Sequence, residues 1–319
     1  MRIRIATALL LCLSVGLASA ADEGNIIPEG AKVEKIAGDC RFTEGPAYDG
    51  DGNLLFTDSP NHRIMVVRPD GKVEVWAKNT GDANGMRFDT KGRLHACCGE
   101  GGARAVVRFD KEGKRTVIAD RFEGKRLNAP NDLCFDKKGR CYFTDPCYGS
   151  KPKDGVERFA VYRIEADKGE LVPNKVTRVI DDVVMPNGIY LSPDEKTLYV
   201  ADNSPSKKGP HTLVAYDVAD DGTCKRRAVV YDFKDHRGID GMVVDARGNV
   251  YATAESGKLT GVYIIAPDGK QVGFIPTPET ATNCTFGGPD LQTLYITAGR
   301  SAYKIKLNAQ GQLVYPPAK

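Results

Sequence analysis

The chain has 319 residues, with 45 Lys and Arg against 42 Asp and Glu and a formal net charge of +3. A balance this close to neutral gives no reason to expect nucleic acid or an anionic membrane surface as a partner. Hydrophobic residues make up 41% of the chain, a globular composition that suits one large all-β domain or two ordinary domains.

The N-terminal segment, residues 1–20, differs from the rest. Arg2 and Arg4 give it a basic start, residues 6–17 form an apolar run, and residues 18–20 read Ala-Ser-Ala. This order is typical of a secretory signal peptide with a small-residue cleavage site. Neither this run nor any later stretch is long enough to span a bilayer comfortably. We therefore expect an exported protein, either periplasmic or extracellular.

The remainder of the chain repeats one unit six times. Each copy reads as two short strands joined by a turn and opens on an oxygen-bearing residue, as in NDLCFDKKGRCYFTD. The copies start at Glu44, Asn84, Asn131, Asn187, Asp240 and Asn283. Spacings of 40 to 56 residues between these starts suit the four-stranded blade of a β-propeller.

The strands between the copies complete the blades. In the first interval RIMVVRP and KVEVWA meet at an Asp-Gly pair, which is a strong hairpin signal. Only one clear strand, SAYKIKLN, follows the last copy, and KVEKIA at Lys32 to Ala37 can supply the missing outer strand. Such a closure removes exposed sheet edges. We predict an all-β, six-bladed propeller over residues 32–319, after a flexible lead-in at 21–31.

Eight cysteines remain after the signal peptide, and export permits disulfides. Cys134 and Cys141 face each other across one predicted hairpin and could pair. The adjacent Cys97 and Cys98 point to opposite sides of a strand, so each would more easily pair with another cysteine. The spacings match no four-ligand zinc pattern, and buried thiols are the alternative.

The first residue of each copy carries the main functional signal. Each propeller blade begins with its innermost strand, so these six side chains should converge around the central axis. All six carry oxygen, and two are carboxylates. Such ligands favour one divalent cation, with Ca²⁺ first and Mg²⁺, Mn²⁺ or Zn²⁺ as alternatives. The competing interpretation is that Asn-Gly and Asp-Gly serve here only as turn residues.

Other polar side chains are expected at the same end of the channel. Arg126 and Asn128 precede the third copy on a loop that would overhang the channel, where they are either substrate donors or solvated loop residues. Asp145 ends the second strand of that copy, as Asp58 and Asp202 do in theirs, so it is a blade-turn residue or a base. We find no nucleophile elbow, phosphate loop or dinucleotide fingerprint.

Several signatures resemble one known family. GDCRFTEGPAYD, MPNGIYLSPDEKTLYVAD and PTPETATNCTFGGPDLQTLYITA, all within residues 40–298, are similar to the gluconolactonases, regucalcin (senescence marker protein) and luciferin-regenerating enzyme. The resemblance implies a six-bladed propeller with a divalent cation at the channel mouth. It also implies hydrolysis of lactones, with some members acting on organophosphates.

The resemblance also assigns roles to individual residues. The implied metal ligands are Glu44, Asn187 and Asp240, with Asn131 as a further ligand or a substrate contact, and the implied substrate loop holds Arg126 and Asn128.

Metal-assisted hydrolysis of a sugar lactone is the predicted function. The cation would polarise the ring carbonyl, and a carboxylate would accept the proton of the attacking water. Asp240 is the first candidate for this base, and Asp145 the second because a dication lowers the basicity of a bound carboxylate. The alternatives are a phosphotriester or aryl ester hydrolase at the same site, or a secreted calcium- or sugar-binding propeller without activity.

Overall fold

The computed structural model describes residues 25–99, 101–256 and 259–315. The predicted signal peptide lies outside the described residues. The described part of the predicted lead-in contacts the end of the chain. The Ile26 carbonyl accepts the Asn308 N–H at 3.0 Å, and the side chains of Ile26 and Ile27 pack against the core. Within the described residues, we find no helix whose length and apolar character would let it cross a membrane.

Six four-stranded antiparallel sheets form the blades of a propeller. Blade 1 contains β2 (Thr43–Tyr48), β3 (Leu54–Asp58), β4 (Arg63–Val67) and β5 (Val73–Lys78), and blade 2 contains β6 (Ala83–Phe88), β7 (Leu94–Cys98), β8 (Ala105–Phe109) and β9 (Arg115–Ala119). Blade 3 contains β12 (Leu133–Phe135), β13 (Cys141–Asp145), β14 (Ala160–Asp167) and β15 (Glu170–Ile180). Blade 4 contains β16 (Pro186–Leu191), β17 (Thr197–Asn203), β18 (His211–Val218) and β19 (Cys224–Asp232). Blade 5 contains β20 (Met242–Val244), β21 (Val250–Ser256), β22 (Leu259–Ile265) and β23 (Gln271–Pro276).

The sixth blade joins the two ends of the described chain. It is built from β24 (Ala281–Gly287), β25 (Thr293–Ala298) and β26 (Ser301–Lys306), with β1 (Glu34–Ala37) as its outer strand. The β1 strand runs antiparallel to β26. Because the N-terminal strand completes the last sheet, the predicted all-β propeller and its closure are confirmed.

Two short elements lie outside the six sheets. A 3₁₀ turn, Ser59–Asn61, connects β3 to β4, and a two-stranded hairpin of β10 (Arg121–Phe122) and β11 (Lys125–Arg126) precedes blade 3. The hairpin occupies the stretch that the sequence predicts as a loop.

Burial follows the order of strands within each blade. The innermost strands β2, β16 and β24 are buried along their whole length, whereas the outermost strand β19 is mostly exposed. Neighbouring blades pack through large side chains, such as Tyr251 edge-on to Phe286 with ring centroids 5.0 Å apart. The inner strands are therefore held rigidly around the axis, which is where side chains of a site need precise support.

The expectation that Cys134 and Cys141 face each other across the hairpin is wrong, and the alternative of buried thiols holds for both. The register of the hairpin sets Cys134 opposite Tyr142 and Phe135 opposite Cys141, and both thiols are free. Residues directly opposite each other share a face of the sheet, so the two cysteines project from opposite faces. A register one residue away from the expected one is enough to separate them.

The buried imidazole of His95 should make stability depend on pH. His95 is fully enclosed, lies 5.1 Å from the Phe135 ring between centroids, and has Nδ1 3.0 Å from the Arg93 carbonyl. Burial lowers the pKa of His95 to about 4, although the Asp89 carboxylate opposes the shift. As the pH falls from about 6.5 towards 4, the unfolded chain binds a proton that the folded chain does not, so stability is lost by about 3 kcal/mol.

Denaturant unfolding of the wild type and of His95→Asn, measured between pH 7 and pH 4, checks this expectation. The stability difference between the two proteins should shrink as the pH falls, because only the wild type carries the imidazole. A difference that stays constant across this range would show that His95 is not held neutral.

Candidate functional site

Within a blade, the regular pairing of the two innermost strands is interrupted at or next to the first residue of the repeated unit. Register shifts fall between Glu44 and Ala47 in blade 1 and between Pro186 and Ile189 in blade 4. Blades 2 and 6 show the same break. Irregularities of this kind bend a strand and re-aim a side chain. They explain how residues of a buried strand reach the channel axis.

Glycines that follow these residues allow neighbouring blades to approach closely. The Gly188 N–H donates to the Asp240 carbonyl at 2.7 Å, and a Cβ on Gly188 would lie 2.4 Å from that oxygen. The Gly241 N–H donates to the Thr282 carbonyl at 2.7 Å, and a Cβ there would lie 2.0 Å from Asn283 Cγ. Asn-Gly and Asp-Gly therefore serve inter-blade contact here, and the turn interpretation does not apply to them.

An open cavity of about 590 Å³ lies at this end of the channel. We call the first residues of the six copies the ring residues. Five of the six line the cavity, namely Glu44, Asn84, Asn131, Asn187 and Asp240. The sixth, Asn283, is not among the lining residues: its Nδ2 donates to Glu44 Oε2 at 2.9 Å and to Asp132 Oδ2 at 3.3 Å. The predicted ring is thus brought together, with Asn283 as a bridge between two carboxylates.

The carboxylates of Glu44 and Asp240 line the cavity, and the buried carboxylate of Asp132 lies near them outside the lining. Burial raises the pKa of Glu44 well above its usual range, and the Asp240 and Asp132 carboxylates raise it further. Burial also raises the pKa of Asp132 to about 6. Burial raises the pKa of Asp240 as well, against the opposing effect of Arg237, which donates to Asp240 Oδ2. A positive charge placed here would stabilise all three ionised forms.

The amide of Asn187 is oriented by Tyr148. The Tyr148 hydroxyl donates to the Asn203 carbonyl at 3.2 Å and therefore accepts the Asn187 Nδ2 donor at 2.8 Å. Because a carbonyl can only accept, this chain of bonds settles which end of the amide is which. It leaves Asn187 Oδ1 as the atom available in the cavity.

The Asp145 carboxylate holds the backbone of the segment that precedes the ring residue Asn131. Its carboxylate accepts the N–H groups of Asn128 and Ala129 at 2.9 and 2.8 Å. Asp58 and Asp202 bind the equivalent backbone pairs, two and three positions before their own ring residues. Burial raises the pKa of Asp145 to about 7 despite its two backbone hydrogen bonds. Asp145 does not line the cavity, and its role as a base stays a prediction.

Arg126 and Asn128 are not brought to the cavity in this structure. Arg126 Nη2 donates to the Ala103 carbonyl at 2.6 Å, away from the ring. Asn128 is fully buried, and its side-chain amide has no hydrogen-bond partner among the described residues. Their contact with a substrate stays a prediction, because the hairpin β10–β11 and the segment after it hold both side chains against protein.

The residues that form the wall of the cavity could not be identified from the repeated unit. The side chains of Phe42, Tyr148, Lys207, His211 and Arg237 line it together with the ring. Most of them come from segments between the repeated units, so the alignment of the six copies carries no signal for them. Phe42 and Tyr148 are 38% and 44% exposed and give this wall two aromatic side chains.

Comparison with known proteins is consistent with this geometry. The chain is similar to a gluconolactonase from Zymomonas mobilis, with 32% identity over 90% of this chain and 84% of that protein. It is also similar to regucalcin from Xenopus laevis, with 30% identity over 84% of this chain and 86% of that protein. Among solved structures, a gluconolactonase from Xanthomonas campestris shares 33% identity with a TM-score of 0.77, covering 89% and 91% of the two chains.

The family comparison covers nearly the whole propeller. Residues 42–300 match the SMP-30/gluconolactonase/LRE-like region, a span that begins just before β2 and ends just after β25. The chain belongs to the SMP-30/gluconolactonase/LRE-like family.

Proposed function

We propose that this protein is a lactonase that hydrolyses sugar lactones with the help of one divalent cation. The observation that carries the proposal is the cavity of about 590 Å³ whose floor is made of carboxylate and amide oxygens. The gluconolactonase relatives support hydrolysis of a lactone. The cation is the more specific part of the proposal and rests on the chemistry of the floor.

The floor offers a suitable set of oxygen donors. Glu44, Asn187 and Asp240 are the proposed ligands, with Asn131 as a further ligand or a substrate contact. Among the described residues no group of three His, Cys, Asp or Glu side chains could hold a metal ion, so amide oxygens must contribute. Ca²⁺ accepts such mixed oxygen sets most readily, and Mg²⁺ or Mn²⁺ is the next choice.

The bound cation would supply a Lewis acid that polarises the lactone carbonyl. The chain itself supplies the proton acceptor. Asp240 is the proposed base because it is one of the two ring carboxylates lining the cavity, while Asp145 lies outside the lining. Arg237 donates to Oδ2 of Asp240, which holds the carboxylate at the cavity, where it would accept the proton of the attacking water.

Tyr148→Phe should weaken cation binding. Loss of the hydroxyl removes the acceptor that orients the Asn187 amide, and changes of this kind typically lower metal affinity about 10-fold to 100-fold. Calcium titration by calorimetry measures the effect. Tyr231→Phe is the matched control, since its hydroxyl donates to Gln271 at 3.1 Å near the surface and Tyr231 does not line the cavity. Equal calcium affinities in the two variants would contradict the assigned role of Tyr148.

A substrate panel tests the proposed function directly. Turnover of gluconolactone, an aryl ester and a phosphotriester is measured with and without a chelator. We expect chelator-sensitive turnover of the lactone above the other two. Preferential turnover of the phosphotriester or the aryl ester would favour an ester hydrolase at the same site. Tight calcium binding without turnover of any substrate would favour a binding propeller.

We also propose that the protein is exported, on the basis of the basic start, apolar run and Ala-Ser-Ala sequence in residues 1–20. Mass spectrometry of the protein recovered outside the cytoplasm tests whether residues 1–20 have been removed. A mature chain that begins near residue 21 is expected, and full-length chain confined to the cytoplasm would contradict export.

A further inference from the structure

The cavity carries its positive groups on one side. Blades 4 and 5 contribute Lys207, His211 and Arg237 to the lining, besides the ring residues Asn187 and Asp240, whereas the lining from blades 1 to 3 has no Lys, Arg or His. We call Lys207, His211 and Arg237 the basic wall. The carboxylates of Asp235 and Asp240 also lie on this side, and Arg237 pairs with Asp240, so Lys207 is the cation of the wall without an ion pair among the described residues.

Lys207 has no protein partner for its charge. It is exposed, lines the cavity, and makes no hydrogen bond or ion pair with the described residues. The loop that carries it is held by its own bonds: the Ser204 N–H donates to the Pro210 carbonyl at 2.9 Å and the Gly209 N–H to the Ser206 carbonyl at 2.8 Å. An ordered loop therefore presents an uncompensated ammonium group to the cavity.

His211 lies behind this loop, between two backbone carbonyls. It is 4% exposed, with Nδ1 2.7 Å from the Lys234 carbonyl and Nε2 2.9 Å from the Ser204 carbonyl. Both ring nitrogens therefore face backbone carbonyls, so the imidazole supports the loop from behind. The contact with Ser204 also ties His211 to the loop that bears Lys207.

Arg237 completes the wall at the edge of the floor. Its Nη2 donates to Asp240 and its Nη1 to the Ala281 carbonyl at 3.1 Å. The side chain is one-third exposed. A guanidinium has five N–H groups, so two bonds to protein leave capacity for an anion of the substrate. Arg237 is thus anchored next to the proposed base while remaining accessible from the cavity.

We infer that the basic wall binds an anionic group on the substrate, so that the preferred lactone carries a second acidic group besides the ring ester. This inference rests on the proposed function and specifies its substrate class. A carboxylate or a phosphate would satisfy the wall through charge-assisted hydrogen bonds, which are stronger than neutral ones. The lactone ring then lies over the oxygen-lined floor, and the acidic group lies towards blades 4 and 5.

The test compares a neutral lactone, gluconolactone, with two anionic ones, glucarolactone and phosphogluconolactone. We expect higher kcat/KM for an anionic lactone, and the two anionic substrates show which acid is preferred. Lys207→Met should lower the preference for the anionic over the neutral lactone by about fivefold to tenfold, mainly through KM, as expected for one charge-assisted contact. Lys208→Met is the control, because Lys208 is an exposed neighbour that does not line the cavity.

Direct binding separates this inference from the proposed function. Calorimetric titration with glucarate at fixed calcium concentration should give weaker binding for Lys207→Met than for Lys208→Met. If no lactone is turned over but this difference persists, the proposed function fails and the anion site stands. If lactones are turned over but the two variants show equal preference and equal glucarate binding, the inference is overturned.

Discussion

Asp240→Asn is expected to lower kcat for gluconolactone by about 100-fold to 10,000-fold, the range that general-base catalysis typically contributes. The substitution keeps the shape of the side chain and its place in the cavity, but removes the carboxylate that accepts the proton. It also removes one negative charge from a proposed cation ligand. Metal occupancy must therefore be measured on the same preparation, at saturating calcium.

The contrast that decides the base is Asp145→Asn. Asp145 binds two backbone N–H groups outside the cavity lining, so its substitution should lower the melting temperature while the folded enzyme keeps most of its kcat. Full activity of Asp240→Asn with calcium bound would remove Asp240 from the mechanism. Loss of kcat in Asp145→Asn alone would make Asp145 the base.

Arg87→Met is expected to reduce the free energy of unfolding by about 3–5 kcal/mol. Arg87 is 6% exposed and lies inside the channel, where its guanidinium donates to the carbonyls of Pro46 at 3.0 Å, Met86 at 2.9 Å and Met242 at 3.0 Å. It also lies over the Tyr190 ring, 5.5 Å from its centroid. Removing it leaves buried carbonyls from three strands without donors.

Urea unfolding of the wild type, Arg87→Met and Arg121→Met measures this effect. Arg121 is a suitable control because it is exposed and pairs only weakly, 3.7 Å from Asp120. Exposed pairs of this kind contribute about 0–1 kcal/mol. Arg87→Lys should lie between the wild type and Arg87→Met, since an ammonium keeps the charge but reaches fewer carbonyls. A change below about 1 kcal/mol for Arg87→Met would show that water replaces the guanidinium without loss.

Arg87 also affects the ionisation of a carboxylate close to the cavity. Its positive charge lowers the pKa of Asp132, although burial is the larger effect and raises it. Asp132 in turn accepts from Asn283, which bridges to Glu44. Sequence comparison of the six copies does not reveal this arrangement, because Arg87 lies three residues after the ring residue Asn84 at a position that reads simply as part of a strand.

The fold was predictable because the same pattern of strand and turn residues recurs six times along the chain. Alternating apolar residues and turn signals define each hairpin, and a missing strand at one end matches a surplus strand at the other. Convergence of the ring residues follows from the repeat as well, since equivalent positions in a closed propeller meet at the axis. Five of the six indeed line one cavity.

The details that depend on register and on unrepeated loops were not predictable. Cys134 and Cys141 miss each other because the strand register differs by one residue from the expected one. Arg126 and Asn128 are held against protein by a hairpin that replaces the expected loop. Asp145 shows the opposite case, since its recurrence in three blades already indicated the blade-turn role that its backbone contacts display.

By itself, the sequence determined the class of fold, the closure of the ring and the oxygen-bearing residues at the axis, because these follow from periodicity and symmetry. Only the tertiary structure decided what surrounds them. Lys207 and His211 come from one loop of blade 4 and Arg237 comes from the segment before β20, and they line one side of the cavity because two adjacent blades bring these segments together. Packing between blades has no periodic signature, so the wall that we propose to bind an anionic group appears only in three dimensions.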